Sequence, residues 1–137
     1  MIDVILSSRF RQFLGDNVVD PKGLTEVYDF ERSHYIDLAP GNFLLGLSVN
    51  VIETPHDRLG IVMPRSTYLR CGLEFGSGFL HPGWTGRLVL ELSNKNKHRS
   101  LRLYVGEPIA SVAFVLAPEA PRYAGKYADQ NPLGPIW

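Results

Sequence analysis

The chain has 137 residues, room for one hydrophobic core and not comfortably for two. Apolar residues make up 45% and charged residues 20%, and fourteen Lys and Arg balance fourteen Asp and Glu. No global field therefore draws in nucleic acid or an acidic membrane surface, although a local group of donors would still suffice for a small anion.

Thirteen Gly and ten Pro suit short strands joined by tight turns better than they suit helices. No apolar run approaches the ~20 residues of a membrane span. The start, Met1-Ile2-Asp3-Val4, shows no basic segment leading into an apolar one, so a cytoplasmic setting is the expectation. Cys71 is the single cysteine, which excludes an internal disulfide framework and a multi-cysteine zinc site. By itself it is expected to be a small buried thiol. His34, His56 and His98 are scattered without ligand spacing, so no protein-bound metal is expected.

In chain order, Ile2 to Leu6 reads as a strand that Arg9 to Leu14 can extend. Asp16 to Lys22 is a loop, with Asp20-Pro21 ahead of Gly23. Tyr35 to Leu38 is a short strand. Pro40-Gly41 then turns into Phe43 to Val51, the longest strand candidate, and Leu59 to Met63 is another. Pro64 to Gly72 predicts one helix of barely two turns, with Ser66 where an N-cap belongs and Gly72 where the left-handed end residue belongs. Amides at its start, flanked by Arg65 and Arg70, would seat a phosphate.

The most informative strand is Arg87 to Ser93. Leu88, Leu90 and Leu92 share one face, which marks that face as core. Glu91 points away from it, beside Val89, on a face that is not simply solvent. A carboxylate in such a place is a candidate for proton transfer. Strands at Leu101 to Val105 and Ile109 to Leu116 follow, joined through Gly106-Glu107-Pro108. After Leu116 the chain is rich in Pro, Gly and Tyr, with little periodicity.

Three segments together resemble the dCTP deaminase family of the dCTP deaminase and dUTPase superfamily. Pro64-Arg65-Ser66-Thr67-Tyr68-Leu69-Arg70-Cys71-Gly72-Leu73 is similar to its Arg-Ser-Ser/Thr-x-x-Arg-x-Gly helix. Pro82-Gly83-Trp84-Thr85-Gly86, running on through Leu90-Glu91-Leu92 to Asn94, is similar to its Asp-Pro-Gly-aromatic-x-Gly turn and Leu-Glu-Leu strand. Tyr123-Ala124-Gly125-Lys126-Tyr127-Ala128-Asp129-Gln130 is similar to its Tyr-x-x-Lys-Tyr-x-x-Gln tail. The resemblance implies an all-β distorted jelly roll with one short helix. It implies a single domain over residues 1–137, a tail from about residue 117 that closes over the site, and a homotrimer with active sites between subunits.

On the same resemblance, Glu91, Ser66 and Arg70 match the catalytic positions. Arg65, Ser66, Thr67 and Arg70 match the segment that contacts the triphosphate. Val89 and Leu90 match the lining of the base pocket, and Tyr123, Lys126 and Gln130 match the closing tail. The implied ligand is a deoxypyrimidine nucleoside triphosphate escorted by magnesium. The implied reaction is metal-independent hydrolysis of dCTP to dUTP and ammonia.

Three features depart from the family. His81 stands where an Asp contacts the deoxyribose, and can donate to the sugar hydroxyl where Asp accepts. The connection from Leu73 to the turn is about two residues shorter, and the chain begins at the first core strand. Two further readings follow: dUTP diphosphatase activity, alone or with deamination, and a nucleotide-binding trimer without catalysis.

Overall fold

A computed structural model describes residues 1–137 except 17, 24, 77, 120, 122, 123 and 126–137. The long first strand organises the rest. β1 (Ile2–Phe13) carries Val4, Leu6 and Phe10 inward, all fully buried, and it changes partners along its length. The hairpin strand β2 (Val27–Glu31) pairs antiparallel with Arg9 to Phe13 of β1. β3 (Tyr35–Leu38) leads into β4 (Phe43–Glu53), which pairs with the middle of β1 through Leu6 and Phe10.

β5 (Arg58–Pro64) precedes α1 (Ser66–Arg70), then β6 (Leu73–Phe75) and β7 (Gly78–Leu80). β8 (Thr85–Asn94), β9 (Leu101–Tyr104) and β10 (Pro108–Leu116) complete the chain. The main sheet has eight strands in the order β6-β8-β4-β1-β10-β5-β7, with β2 added on β1, while β3 and β9 form a separate pair.

Register shifts between Val4 and Ile5 and between Leu6 and Phe10 mark where β1 leaves β10 and joins β4. Bulges of this kind bend a strand and let one sheet curl upon itself. Inward side chains from both halves then meet in one core: Val4, Leu6 and Phe10 from β1, Leu88, Leu90 and Leu92 from β8, and Ile109 and Val112 from β10. The curled antiparallel sheet agrees with the expected jelly roll.

β8 lies between β4 and β6. Its side chains alternate strictly between buried and less buried along the strand. Beside its start, Ser48 of β4 bridges a register shift: its hydroxyl accepts from the Leu88 N–H at 2.9 Å and donates to the Asn50 carbonyl at 2.7 Å.

At the far end stands Asn94, only 3% exposed. Its side-chain amide donates to the carbonyls of Leu38 at 2.9 Å and Arg99 at 2.8 Å, tying the β3–β9 pair to the main sheet. Its side-chain oxygen accepts from the Asn96 N–H at 2.9 Å. Asn96 in turn donates to the Cys71 carbonyl at 2.8 Å, just past α1. One amide therefore links three parts of the fold.

Several expectations need correction. β4 has 11 residues and runs to Glu53, but β1, with 12, is the longer strand. β2, β6 and β7 were not expected. β6 and β7 have three residues each, too few for a period of two to show. In β2 the acidic residues break the apolar alternation. Cys71 is exposed, because it follows a helix that buries none of its own residues. Most of the expected closing tail, including Tyr123, Lys126 and Gln130, lies outside the described residues.

Asn94→Ala removes the donor to the buried Leu38 carbonyl and to the carbonyl of the exposed Arg99, at roughly 1–3 kcal/mol for the buried group left unsatisfied. Chemical denaturation should show a loss of at least about 1 kcal/mol, against under about 0.5 kcal/mol for an exposed control such as Lys97→Ala.

Candidate active site

The chain reaches α1 through the last residues of β5. The Arg65 N–H is held by the Ile109 carbonyl at 2.9 Å, so the strand's bonding extends to Arg65 and the helix starts one residue later. Arg65 is therefore the N-cap, with extended backbone and no side-chain cap bond, and Ser66 is the first helical residue. This corrects the expected capping role of Ser66. Gly72 ends the helix at φ +101°, a conformation that costs other residues about 1–2 kcal/mol.

Among the described residues Tyr68 is the one of the helix that packs against the core, and its hydroxyl accepts from the Tyr104 N–H at 3.3 Å. Arg65, Ser66, Thr67 and Arg70 all remain exposed. Among the described residues no hydrogen bond or ion pair holds the Arg70 guanidinium. A helix of five residues develops little dipole, so any grip on an anion there comes from the guanidinium groups and exposed amides.

Glu91 belongs to a different part of the surface. A cavity of about 550 Å³ lies at the β2–β3–β4 corner, but Glu91 lines another of about 330 Å³, between β6–β8 and β5–β7. Val89 and Leu90 line the same cavity, together with Phe75, Gly76 and Leu80. Beneath this face Leu45 and Leu47 of β4 form a second small apolar cluster with Val89, which explains why the second face of β8 is not simply solvent.

Glu91 is the one exposed residue of β8, and its side chain opens into the cavity with apolar neighbours along one side. Desolvation pushes its carboxyl above the usual range, opposed by a hydrogen bond from its own backbone N–H. No cation among the described residues pins it ionised. A carboxyl raised in this way keeps its proton to higher pH than a free glutamate does.

Gly76 closes one wall. Its N–H donates to the Glu91 carbonyl at 3.1 Å, and a Cβ there would lie 3.1 Å from a Glu91 carboxylate oxygen and 3.3 Å from its Cβ. The cavity depends on that missing methyl. Sequence reasoning passed over Gly76, although the Gly76-Ser77-Gly78 run signals a close approach of backbone.

The structure thus brings Val89, Leu90 and Glu91 together in one cavity, and Arg65, Ser66, Thr67 and Arg70 together on one short helix. Among the described residues, those lining the Glu91 cavity include none from α1. His81, at the turn before β8, is exposed, and its carbonyl accepts from the Trp84 N–H at 3.0 Å. It does not line the Glu91 cavity. Among the described residues no three His, Cys, Asp or Glu side chains group as metal ligands, and no helix is long and apolar enough to cross a membrane.

A carboxyl with a raised folded pKa binds its proton more tightly in the folded state than in the unfolded chain. Its stabilising contribution is complete below the ordinary glutamate pKa and is lost as pH rises through the raised value. Glu91→Gln should therefore raise the melting temperature at about pH 7 and above, and the gain should vanish below about pH 4. Thermal unfolding of both proteins across pH checks this; a variant less stable than wild type at neutral pH would contradict it.

Comparison with known proteins gives the family. A family model described as dCTP deaminase-like matches residues 2–116. A dCTP deaminase of Campylobacter fetus is 36% identical over 94% of this chain and 73% of its own length. One of Roseiflexus castenholzii is 31% identical over 96% of this chain and 71% of its own. A "dCTP deaminase, dUMP-forming" of Aquifex aeolicus is 33% identical over 98% of this chain and 76% of its own.

Proposed function

This chain belongs to the dCTP deaminase-like family, and from that premise we propose that it hydrolyses dCTP to dUTP and ammonia. The observation that carries the reading is Glu91, a carboxyl with a raised pKa lining a cavity beside the strand residues Val89 and Leu90. Cytosine enters this cavity, its edge read by the backbone of β8. Glu91 takes one proton from water as the oxygen bonds to C4 and delivers it to the ring nitrogen, then moves the remaining proton of the new C4 hydroxyl to the amine as the C4–N bond breaks and ammonia leaves. Dihydrogen oxide and dCTP enter; dUTP and ammonia leave. Ser66 and Arg70 hold the water and orient the carboxyl. Arg65, Thr67 and the start of α1 grip the triphosphate, which lowers the entropic part of the barrier.

Magnesium arrives on the phosphate oxygens as part of the substrate, and the chemistry at C4 needs no metal. His81 donates to the sugar hydroxyl. Tyr123, Lys126 and Gln130 close over the bound nucleotide. The setting is the cytoplasm, with the nucleotide pool as partner and neither nucleic acid nor membrane.

The site is completed between subunits of a homotrimer. Two observations support this. The Glu91 cavity contains none of the α1 residues. The outward face of β5, β7 and β10 is apolar: Phe79 pairs beside Ile61, which pairs beside Ala113, while Met63 is 52% and Phe79 65% exposed. Apolar sheet faces of this kind mark association surfaces.

Ammonia release from dCTP is the primary test. Glu91→Gln should lower kcat by at least about 100-fold, the usual scale of general acid–base catalysis, while dCTP still binds. Unchanged turnover would defeat the assignment. The dUMP-forming relative favours one alternative, a bifunctional enzyme, which would release pyrophosphate and dUMP from dCTP as well as ammonia. Binding of dCTP with neither product would identify a non-catalytic nucleotide-binding trimer. Phe79→Asp should shift the sedimentation mass from three chains toward one; an unaltered trimer would place the interface elsewhere.

A further inference from the structure

We propose that Asp3 is a positioning residue for phosphate binding, one that aims the Arg65 guanidinium. This rests on the nucleotide reading above. Asp3 Oδ1 accepts from Arg65 Nη1 at 3.1 Å and from Ser111 Oγ at 3.4 Å. The strand registers explain the meeting. Asp3 of β1 lies beside Ser111 of β10, which lies beside Met63 of β5, two residues before Arg65. β10 also holds the Arg65 N–H through Ile109. The backbone of Arg65 is thus fixed by one strand and the free end of its side chain by another.

The pair is half exposed, 47% for Arg65 and 52% for Asp3. An ion pair in that setting contributes little to folding, so its conspicuous effect is on conformation. A free arginine surrenders considerable rotamer freedom when it binds an anion; here much of that freedom is already gone. Asp3 occupies one guanidinium nitrogen, which leaves the other N–H donors of the fork for phosphate. The carboxylate also repels the phosphate, but across solvent and beside magnesium that repulsion is screened. Orientation outweighs repulsion.

The test compares wild type with Asp3→Asn, Asp3→Glu, Arg65→Gln and the double variant Asp3→Asn/Arg65→Gln. Two readouts are taken: calorimetric titration with inorganic tripolyphosphate, and dCTP kinetics. Asp3→Asn should weaken tripolyphosphate binding and raise KM for dCTP by the same factor, about 3–10-fold, with kcat within about twofold. Asp3→Glu should recover part of the loss. In the Arg65→Gln background, Asp3→Asn should add nothing.

Unchanged tripolyphosphate affinity in Asp3→Asn, additive losses in the double variant, or a wild type that does not bind tripolyphosphate would each overturn the proposal. A wild type that binds tripolyphosphate, responds to Asp3→Asn and releases no ammonia from dCTP would uphold Asp3 while sinking the deaminase reading. A wild type that deaminates dCTP with Asp3→Asn silent in both readouts would do the reverse.

Discussion

The proposed chemistry depends on one strand, β8, being held so that it cannot slip. β8 is hydrogen-bonded along both edges, to β4 and β6. Its three alternate leucines are locked in the core, and Asn94 fastens its end to the β3–β9 pair. A slip of one residue would exchange the two faces and carry Glu91 into the core. The large apolar area buried by Leu88, Leu90 and Leu92 therefore does more than stabilise the fold. It sets where one carboxyl points.

That carboxyl is placed at some expense to stability. An ionised group beside Phe75, Leu80 and the Leu45–Leu47–Val89 cluster loses hydration, and no cation among the described residues replaces it. A structural role would be served as well by Gln or a small apolar residue. An upward shift of this kind is the perturbation that a proton-transfer group needs, and it supports the proposed role of Glu91. Gly76 belongs to the same arrangement, since its lack of a side chain keeps the carboxyl free to turn. The arginines of α1 stand on an exposed helix outside the Glu91 cavity.

Most of the fold was legible from periodicity. The Leu-x-Leu-x-Leu pattern of β8 marks core and cavity faces directly, and the Pro-Gly and Gly-Glu-Pro turns delimit the neighbouring strands. Three things were hidden. β6 and β7 owe their existence to pairing with β8 and β5, a tertiary contact that three-residue segments cannot announce. Ser66 looked like a cap because the bond from Arg65 to Ile109, made across the sheet, is invisible locally. Cys71 looked buried by type, and is exposed because its helix packs on the core through Tyr68. The site residues were expected from the motifs, but the separation of Glu91 in its cavity from the exposed residues of α1 follows from the topology of the curled sheet. Asp3 drew no notice, since its partner Arg65 lies 62 positions away.

The most direct test of the central claim is a crystal structure of Glu91→Gln with dCTP bound. The account predicts cytosine in the cavity lined by Val89 and Leu90, with the residue-91 side chain within about 3 Å of the ring nitrogen or the C4 amine. Arg65 and Arg70 should lie on the triphosphate. A nucleotide bound elsewhere, with residue 91 facing open solvent, would contradict it.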